Sequence, residues 1–219
     1  RKIIERIDIK FLSILEEIRI RENRPLMITL NNRDFFVRND GKLISTDNGA
    51  YIVTNQDTAS ILQLISDHSI YAIEEELRNG YITLKGGHRV GFTGKGVLEG
   101  GNIKTLKYIS GFNFRISREI KGVANKVIPY ITNRGEVFHT LIISPPQCGK
   151  TTLLRDIIRQ ISDGNTTLGL RGHKVGVVDE RSELAGCYKG VPQNDIGLRT
   201  DVLDGCPKAK GMIMLIRSM

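Results

Sequence analysis

The chain has 219 residues, of which 40% are hydrophobic and 26% are charged, a composition typical of a soluble globular protein long enough for two domains. No stretch approaches the roughly 18 uninterrupted apolar residues of a membrane span, and the N-terminal segment lacks the apolar core of a signal peptide, so we expect a cytoplasmic protein. Neither zinc nor disulfides are indicated, because the three cysteines are an odd number and neither they nor the four histidines have metal-ligand spacing. The net charge of +8 is spread along the chain and Trp is absent, so nucleic-acid binding is not expected.

The first residues predict a short helix followed by paired strands. Apolar residues recur at helical spacing from Ile3 to Leu15 and then alternate at Ile18 and Ile20. Two further strands are predicted over residues 26–30 and 35–37. Turn residues lie between and after them, at Asn31-Asn32 and at Asp40-Gly41.

A long amphipathic helix is predicted over residues 56–78, and Asn79 and Gly80 are residue types that end helices. The glycine-rich stretch 81–118 that follows it predicts β-hairpins. The predicted turns lie at residues 86–87, 94–96 and 100–101.

These patterns predict two domains of different class. Residues 1–120 are expected to form an α+β N-terminal domain, and residues 121–136, which include Pro129, a helical linker. Residues 137–219 alternate strand and helix patterns, which is typical of α/β proteins with a parallel sheet.

Residues 144–152 predict a phosphate-binding loop. They lie between a strand predicted over residues 140–143, which ends in three apolar residues, and a helical pattern at 151–162. Such a loop points backbone N–H groups inward ahead of a helix N-terminus, where the helix dipole also favours anions. Lys150 is predicted to reach the β- and γ-phosphates of a nucleotide, and the Thr151 hydroxyl to bind Mg²⁺. The predicted loop comprises Ser144, Pro145, Pro146, Gln147, Cys148, Gly149, Lys150, Thr151 and Thr152.

The loop departs from the usual G-x-x-x-x-G-K-[ST] pattern at its first position, where Ser144 replaces glycine. The core of Gly149, Lys150 and Thr151, which contacts the phosphates in such loops, is present. The alternative is an ordinary strand–turn–helix in which Thr151 caps the helix. That alternative does not explain the lysine at the helix entrance.

A pair of acids follows the next predicted strand, residues 175–178. Asp179 and Glu180 are placed at the carboxyl edge of a buried strand, where ligands of open α/β sheets bind. An acid at this position is predicted to hold Mg²⁺ through water or to orient an attacking water. The alternative is a pair of solvated acids that open a loop.

Two long segments resemble the stage III sporulation protein AA family of endospore-forming bacteria. They are LIISPPQCGKTTLLRDIIR and KVGVVDERSELAGCYKGVPQNDIGLRTDVLDGCPKAKGM, and the shorter LEEIRIRENRPLMI and YISGFNFRISREIKG fit as well. The resemblance therefore covers essentially the whole chain. This family is similar in turn to the hexameric traffic ATPases of type II and type IV secretion systems. It implies a RecA-like P-loop NTPase core, truncated here, preceded by a smaller α+β N-terminal domain.

The resemblance also implies catalytic residues. The acidic segment of the secretion ATPases corresponds to residues 178–184, with Asp179 where the relatives have Glu, and either Asp179 or Glu180 is implied as the catalytic acid. Arg115 and Arg118 match arginines that reach the γ-phosphate in the relatives. The alternative for both is an interstrand or interdomain ion pair.

Arg217 resembles the arginine that precedes the segment carrying the Walker B acid. In the family that segment comes next, whereas this chain stops at Met219. We therefore expect a fragment that lacks the Walker B acid and that hydrolyses ATP weakly or not at all.

The resemblance implies a motor ATPase that uses Mg²⁺-ATP hydrolysis to energise assembly of, or export through, a sporulation channel. ATP and Mg²⁺ are the implied cofactors. Further copies in a hexamer and inner-membrane channel proteins are the implied partners, at the cytoplasmic face of a membrane. Two alternatives stay open: a RecA-like nucleic-acid-binding translocase, and a regulatory subunit that binds nucleotide without turnover.

Overall fold

The protein divides into two compact units in a computed structural model that describes residues 2–146 and 148–219. The first unit comprises the described residues up to Leu84 together with His88–Ser117, and the second comprises Lys85–Gly87 and Arg118–Met219. Helices and strands are mixed, as the predicted fold class requires.

Seven antiparallel strands form the sheet of the first unit. They are β1 (Leu15–Arg21), β2 (Met27–Leu30), β3 (Arg33–Val37), β4 (Leu43–Ile44), β5 (Tyr81–Thr83), β6 (Arg89–Glu99) and β7 (Asn102–Arg115). Their order across the sheet is β4-β3-β2-β1-β7-β6-β5. Asn31 and Asn32, both with left-handed φ angles of 47° and 59°, join β2 to β3. The turn predicted at these residues is therefore confirmed.

The helix predicted over residues 56–78 is interrupted. Asp67 and His68 adopt positive φ angles of 48° and 63°, which no helix can contain, so the segment divides in two. Gly80 ends the second piece at φ 77°, as predicted. The helices of this unit are α1 (Ile9–Leu12), α2 (Asn55–Ile65) and α3 (Glu74–Asn79), with 3₁₀ turns at Ile4–Arg6 and Ile70–Ile73.

The glycine-rich region forms one long hairpin of β6 and β7. The turn lies at Gly100 and Gly101, as predicted, with φ angles of 59° and 82°. The turn predicted at residues 94–96 is wrong, because β6 continues through them, with a register shift against β7 between Thr93 and Lys95. A side chain at Gly94 would lie 2.8 Å from the carbonyl oxygen of Lys107, so glycine here allows a close approach of the two strands.

Two hydrophobic clusters stabilise the first unit. Ile28, Val37 and Val53 are buried in one of them. The other contains Phe92 and Phe112, whose rings meet edge to face at 5.9 Å between centroids. The unit is thus stabilised by the packing of its own apolar residues.

The second unit contains the remaining elements. Its helices are α4 (Ile128–Ile131), α5 (Lys150–Asp163) and α6 (Lys208–Ser218), with a 3₁₀ turn at Thr166–Leu168. Its strands are β8 (Thr132–Asn133), β9 (Glu136–Val137), β10 (Gly164–Asn165), β11 (Leu170–Arg171), β12 (Val175–Asp179) and β13 (Thr200–Asp204). The segment expected to be a linker differs from that prediction, because Ala124 and Ile128 are fully buried in a cluster with Ile157 of α5.

A parallel pair of strands, β12 and β13, lies between α5 and α6. Val177 of β12 packs in a cluster with Ile158 of α5. On the opposite face, Val178 approaches α6 so closely that a side chain at Gly211 would lie 2.5 Å from it. Successive residues of a strand point to opposite faces, so the two helices cover both faces of the pair. This arrangement places the carboxyl end of β12 near the start of α5.

The strand predicted over residues 140–143 is absent from the described structure, where residues 138–145 have no regular secondary structure. A strand requires a neighbour for its hydrogen bonds, and this run has none among the described residues. Leu141 and Ile143 are 82% and 83% exposed, whereas Ile142 packs against the cluster around Ala124. The apolar run therefore lies beside the core of the second unit without entering a sheet.

Candidate functional site

Helix α5 begins at the predicted phosphate-binding loop. Gly149 precedes it with a φ angle of 75°, a left-handed conformation that favours glycine over every other residue type. Lys150 is the first helical residue, and the Leu153 N–H donates to the Gly149 carbonyl oxygen at 2.9 Å. The first N–H groups of a helix have no partner within it and attract anions. Gln147, also predicted to contribute to the loop, lies outside the described residues.

A cavity of about 330 Å³ lies between the start of α5 and the end of β12. It brings together the predicted Lys150 and Thr151 with the predicted Asp179 and Glu180. A further acid, Glu183, also lines it. The complete lining is Thr140, Ile142, Lys150, Thr151, Leu154, Val178, Asp179, Glu180, Arg181, Glu183, Leu184 and Lys208.

The other loop residues that the structure describes do not line this cavity. Thr152 borders a much smaller space beside Asp156 and Lys121. The thiol of Cys148 is exposed, and the Ser144 hydroxyl donates to the carbonyl oxygen of Pro145 at 3.1 Å. Pro145, Pro146 and Gly149 are likewise absent from the cavity lining.

The two predicted arginines fall in different units. Arg115 ends β7 in the first unit, between Glu17 of β1 and Arg89 of β6 in register. Arg118 belongs to the second unit, where its carbonyl oxygen accepts a hydrogen bond from Arg155 Nη1 at 3.3 Å. Neither lines the cavity that contains Lys150.

Asp179 is buried, with 3% of its surface exposed, and both of its carboxylate oxygens are used by the backbone. One oxygen accepts the N–H of Glu183, and the other accepts the N–H groups of Leu184 and Ala185, all at 2.9 Å. A carboxylate surrounded by such donors holds a loop in place. The geometry is that of a residue that shapes the loop after β12.

Glu180 has the opposite environment. Its carboxylate lies 3.3 Å from the Lys208 ammonium, and the two side chains are 40% and 69% exposed. An exposed pair of this kind contributes about 0–1 kcal/mol to stability. Glu180 is therefore free to exchange partners at the mouth of the cavity.

A second carboxylate, Asp204 at the end of β13, lies near Asp179. Burial raises the pKa of Asp204 above its usual value, and the negative charge of Asp179 raises it further, against a 2.5 Å hydrogen bond from the Ser182 hydroxyl. The neighbouring Cys187 thiol is buried, and burial together with these two carboxylates raises its pKa to about 12. Two carboxyl groups, those of Asp179 and Asp204, thus lie close to each other and to the buried Cys187 thiol.

Arg155, one turn into α5, is a residue that the sequence reasoning missed. Its Nε donates to the Leu184 carbonyl oxygen and its Nη2 to that of Glu183, both at 2.7 Å. Burial lowers the pKa of the Arg155 guanidinium, and the carboxylates of Glu119 and Asp179 act in the opposite direction. Its acceptors are backbone carbonyls, which leave no sequence signal.

A second buried acid, Asp156, fastens α5 to the segment before it. Its carboxylate accepts from the Ala124 N–H at 2.8 Å, from Arg159 Nη2 at 2.6 Å and from Gln160 Nε2 at 2.9 Å. Burial acts to raise the pKa of Asp156, but these hydrogen bonds outweigh it, so the pKa lies below its usual value. Through the Ala124 N–H, Asp156 therefore connects the middle of α5 to the segment before it.

Within residues 2–146 and 148–219, no group of three or more His, Cys, Asp and Glu side chains is placed to hold a metal ion. Mg²⁺ in nucleotide sites is commonly held by one or two protein oxygens together with phosphate oxygens. Thr151, Glu180 and Glu183 supply oxygen atoms around one cavity, so the donor set fits Mg²⁺ that arrives with a nucleotide. No helix in the same part of the chain has the length and apolar character needed to cross a membrane.

Comparison with solved structures shows the fold. The X-ray structure of the Legionella pneumophila ATPase DotB is similar with a TM-score of 0.51 at 16% identity, over 94% of this chain and 54% of that one. At this identity the similarity concerns the fold alone.

Comparison of sequences shows the family. A curated relative, stage III sporulation protein AA from Bacillus subtilis (strain 168), is 45% identical over 205 residues, which are 94% of this chain and 62% of the relative. The chain thus spans about three fifths of the length of that relative. The family described as "Sporulation stage III, protein AA" matches residues 1–219. By both measures, and as the resemblance of its segments predicted, the chain belongs to the sporulation stage III protein AA family.

Proposed function

We propose that this chain is the nucleotide-binding part of an ATPase that uses Mg²⁺-ATP hydrolysis to energise assembly of, or export through, a sporulation channel. The observation that supports it is the cavity in which Lys150 and Thr151, at the start of α5, face Glu180 and Glu183. Cations and helix N–H groups bind phosphate, and acids opposite them can orient water. The fold shared with an ATPase supports the same function.

In this proposal Lys150 binds the β- and γ-phosphates and the N–H groups of α5 surround them. Thr151, Glu180 and Glu183 would hold Mg²⁺, which neutralises phosphate charge when bound. Asp179, whose oxygens are occupied by backbone N–H groups, positions the loop instead of contacting water. Arg115 and Arg118 are proposed to reach the γ-phosphate, as the resemblance to the secretion ATPases implies.

The whole protein is proposed to act as a hexamer at the cytoplasmic face of a membrane, with inner-membrane channel proteins as partners. Family membership supports the sporulation role. These partners belong to the proposal for the complete protein, since the chain spans 62% of its curated relative.

The test is the variant Lys150→Ala. We expect it to abolish binding of ATP, measured by calorimetry, because the ammonium contributes its charge at the phosphates. The melting temperature should stay unchanged, since Lys150 is exposed. Lys126→Ala, which removes another exposed cation of the same unit, serves as the control. Equal ATP affinity in wild type and Lys150→Ala would refute the assignment of the phosphate site.

A regulatory subunit that binds nucleotide without turnover is the second candidate. The backbone hydrogen bonds that occupy Asp179 favour it, because they leave one acid fewer to act on water. Release of phosphate from radiolabelled ATP by the full-length protein, measured in a single-turnover experiment, distinguishes the two candidates. Binding without release supports the regulatory subunit.

A further inference from the structure

The loop after β12 is held by hydrogen bonds at every peptide group from Glu183 to Ala185, although it has no regular secondary structure. Asp179 accepts all three N–H groups. The carbonyl oxygens of Glu183 and Leu184 accept from Arg155, and the Ala185 carbonyl accepts the N–H groups of residues 193 and 194. A loop in which every peptide group is hydrogen-bonded is fixed in one conformation.

Two opposite charges form the two sides of this arrangement. Asp179 contacts the N–H side of the peptides, and Arg155 contacts their carbonyl side. The two belong to different elements, since Asp179 ends β12 and Arg155 lies in α5, five residues after Lys150. The guanidinium plane can donate two parallel hydrogen bonds at fixed spacing, which a lysine cannot reproduce.

We propose that Arg155 is a positioning residue that, together with Asp179, fixes Glu183 in the cavity opposite Lys150. The rigid helix transmits the position of the phosphate-binding loop to the acid. Arg155 itself donates to backbone carbonyls and does not line the cavity. Its effect on any ligand therefore passes through Glu183.

A direct role of Arg155 at the phosphates is excluded by its contacts. It borders the small space that also contains Thr152 and Asp156, away from Lys150 and Thr151. A role limited to general stability would be satisfied by any substitution that preserves the fold. A positioning role requires the forked donor and predicts a specific consequence at Glu183.

The first measurement is hydrogen exchange at residues 183–185 in the whole 219-residue chain. We expect Arg155→Met to speed exchange of these amides about tenfold or more, because hydrogen bonds to charged groups contribute at least that factor to an equilibrium constant. Arg155→Lys should restore little of the protection. Lys126→Met, which removes an exposed cation of the same unit, should leave these amides unchanged. Unchanged exchange in Arg155→Met would overturn the proposal.

The second measurement rests on the proposed function: the affinity for a non-hydrolysable ATP analogue, with and without Mg²⁺. If Arg155 positions Glu183, then Arg155→Met should lose the same part of the Mg²⁺-dependent gain in affinity as Glu183→Gln. Binding without Mg²⁺, which depends on Lys150, should be unchanged. A Mg²⁺-dependent gain equal to that of wild type would overturn the proposal. If the wild type binds no nucleotide, the proposed function fails, while hydrogen exchange still decides whether Arg155 fixes this loop.

Discussion

Replacement of Asp179 by Asn tests whether this acid shapes the loop or acts on water. The carboxylate is buried and accepts three backbone N–H groups at 2.9 Å. An amide keeps one accepting oxygen and places its own N–H₂ against donors, so at least one charge-assisted hydrogen bond is lost and one N–H is left without a partner. We expect a loss of about 2–4 kcal/mol in the free energy of unfolding.

A chain of this length loses roughly 2–4 °C of melting temperature per kcal/mol, so Asp179→Asn should melt about 5–15 °C below wild type. One effect opposes this loss of stability. Removal of the Asp179 charge also removes its repulsion of the Asp204 carboxylate, whose pKa is raised by burial and by Asp179. The control is Glu180→Gln, the adjacent acid, whose exposed ion pair with Lys208 predicts a change of about 0–1 kcal/mol.

The assay is thermal unfolding followed by circular dichroism, with hydrogen exchange at residues 183–185 as the local measurement. If Asp179 holds the loop, its variant melts early and these three amides lose protection. If Asp179→Asn and Glu180→Gln have the same melting temperature and the three amides stay protected, the role assigned to the Asp179 hydrogen bonds is refuted. Lost turnover at an unchanged melting temperature would identify Asp179 as a catalytic acid instead.

Further predictions concern the arginines, the buried acid of α5 and the exposed apolar run. Alanine at Arg115 or Arg118 should slow ATP turnover of the full-length protein about 10³-fold if that residue reaches the γ-phosphate, with nucleotide affinity nearly unchanged; wild-type rates for both variants would leave them as surface charges. Asp156→Asn should cost roughly 2–3 kcal/mol at pH 7. The folded pKa of Asp156 is depressed, so this stability is present above the unfolded pKa of about 3.9 and is lost as pH falls through the folded pKa. The free energies of unfolding of wild type and Asp156→Asn should therefore converge below about pH 4. A difference that persists there would contradict the ionic origin of the stabilisation. Leu141 and Ile143 are both over 80% exposed, and we expect this apolar surface to promote self-association of the chain. Asp substitutions at both should reduce that association in sedimentation experiments without lowering the melting temperature; a wild-type chain that is already monomeric, or association that the substitutions leave unchanged, would contradict this expectation.

Local chemistry made part of the fold predictable. Asn31 and Asn32 adopt the left-handed conformation that a tight turn demands, and Gly80 ends its helix for the same reason. The effect of these residues depends on their own backbone angles, so it can be predicted from the residue type alone. The break at Asp67 and His68 was not predicted, because neither residue type forbids a helix, although it falls in a run of four polar residues, 66–69, between two apolar segments.

The strand predicted at residues 140–143 shows a different limit. Three apolar residues in a row suit a buried strand, but strand formation depends on a neighbour that sequence spacing does not reveal. In the described structure the partner of β12 is β13, and Leu141 and Ile143 face outward.

The candidate site shows the same division. Lys150 and Thr151 were predictable, because a short motif placed them at a helix entrance, and the end of β12 located Asp179. The hydrogen bonds of Asp179 to three N–H groups, and of Arg155 to three carbonyl oxygens, were not predictable. Backbone groups exist at every position, so contacts to them leave no pattern of residue types.

Cys148 and Cys187 differ in exposure, and this difference allows the phosphate-binding loop to be labelled selectively at Cys148. Cys148 is exposed one residue before Gly149, whereas Cys187 is buried and its pKa of about 12 leaves almost no thiolate at neutral pH. A maleimide fluorophore should therefore react at Cys148 well before Cys187. Once the half-buried Cys206 is replaced by serine, one dye would report on the loop two residues from Lys150. Occupancy of the loop could then be followed by fluorescence in real time, without any need for the protein to turn over its ligand.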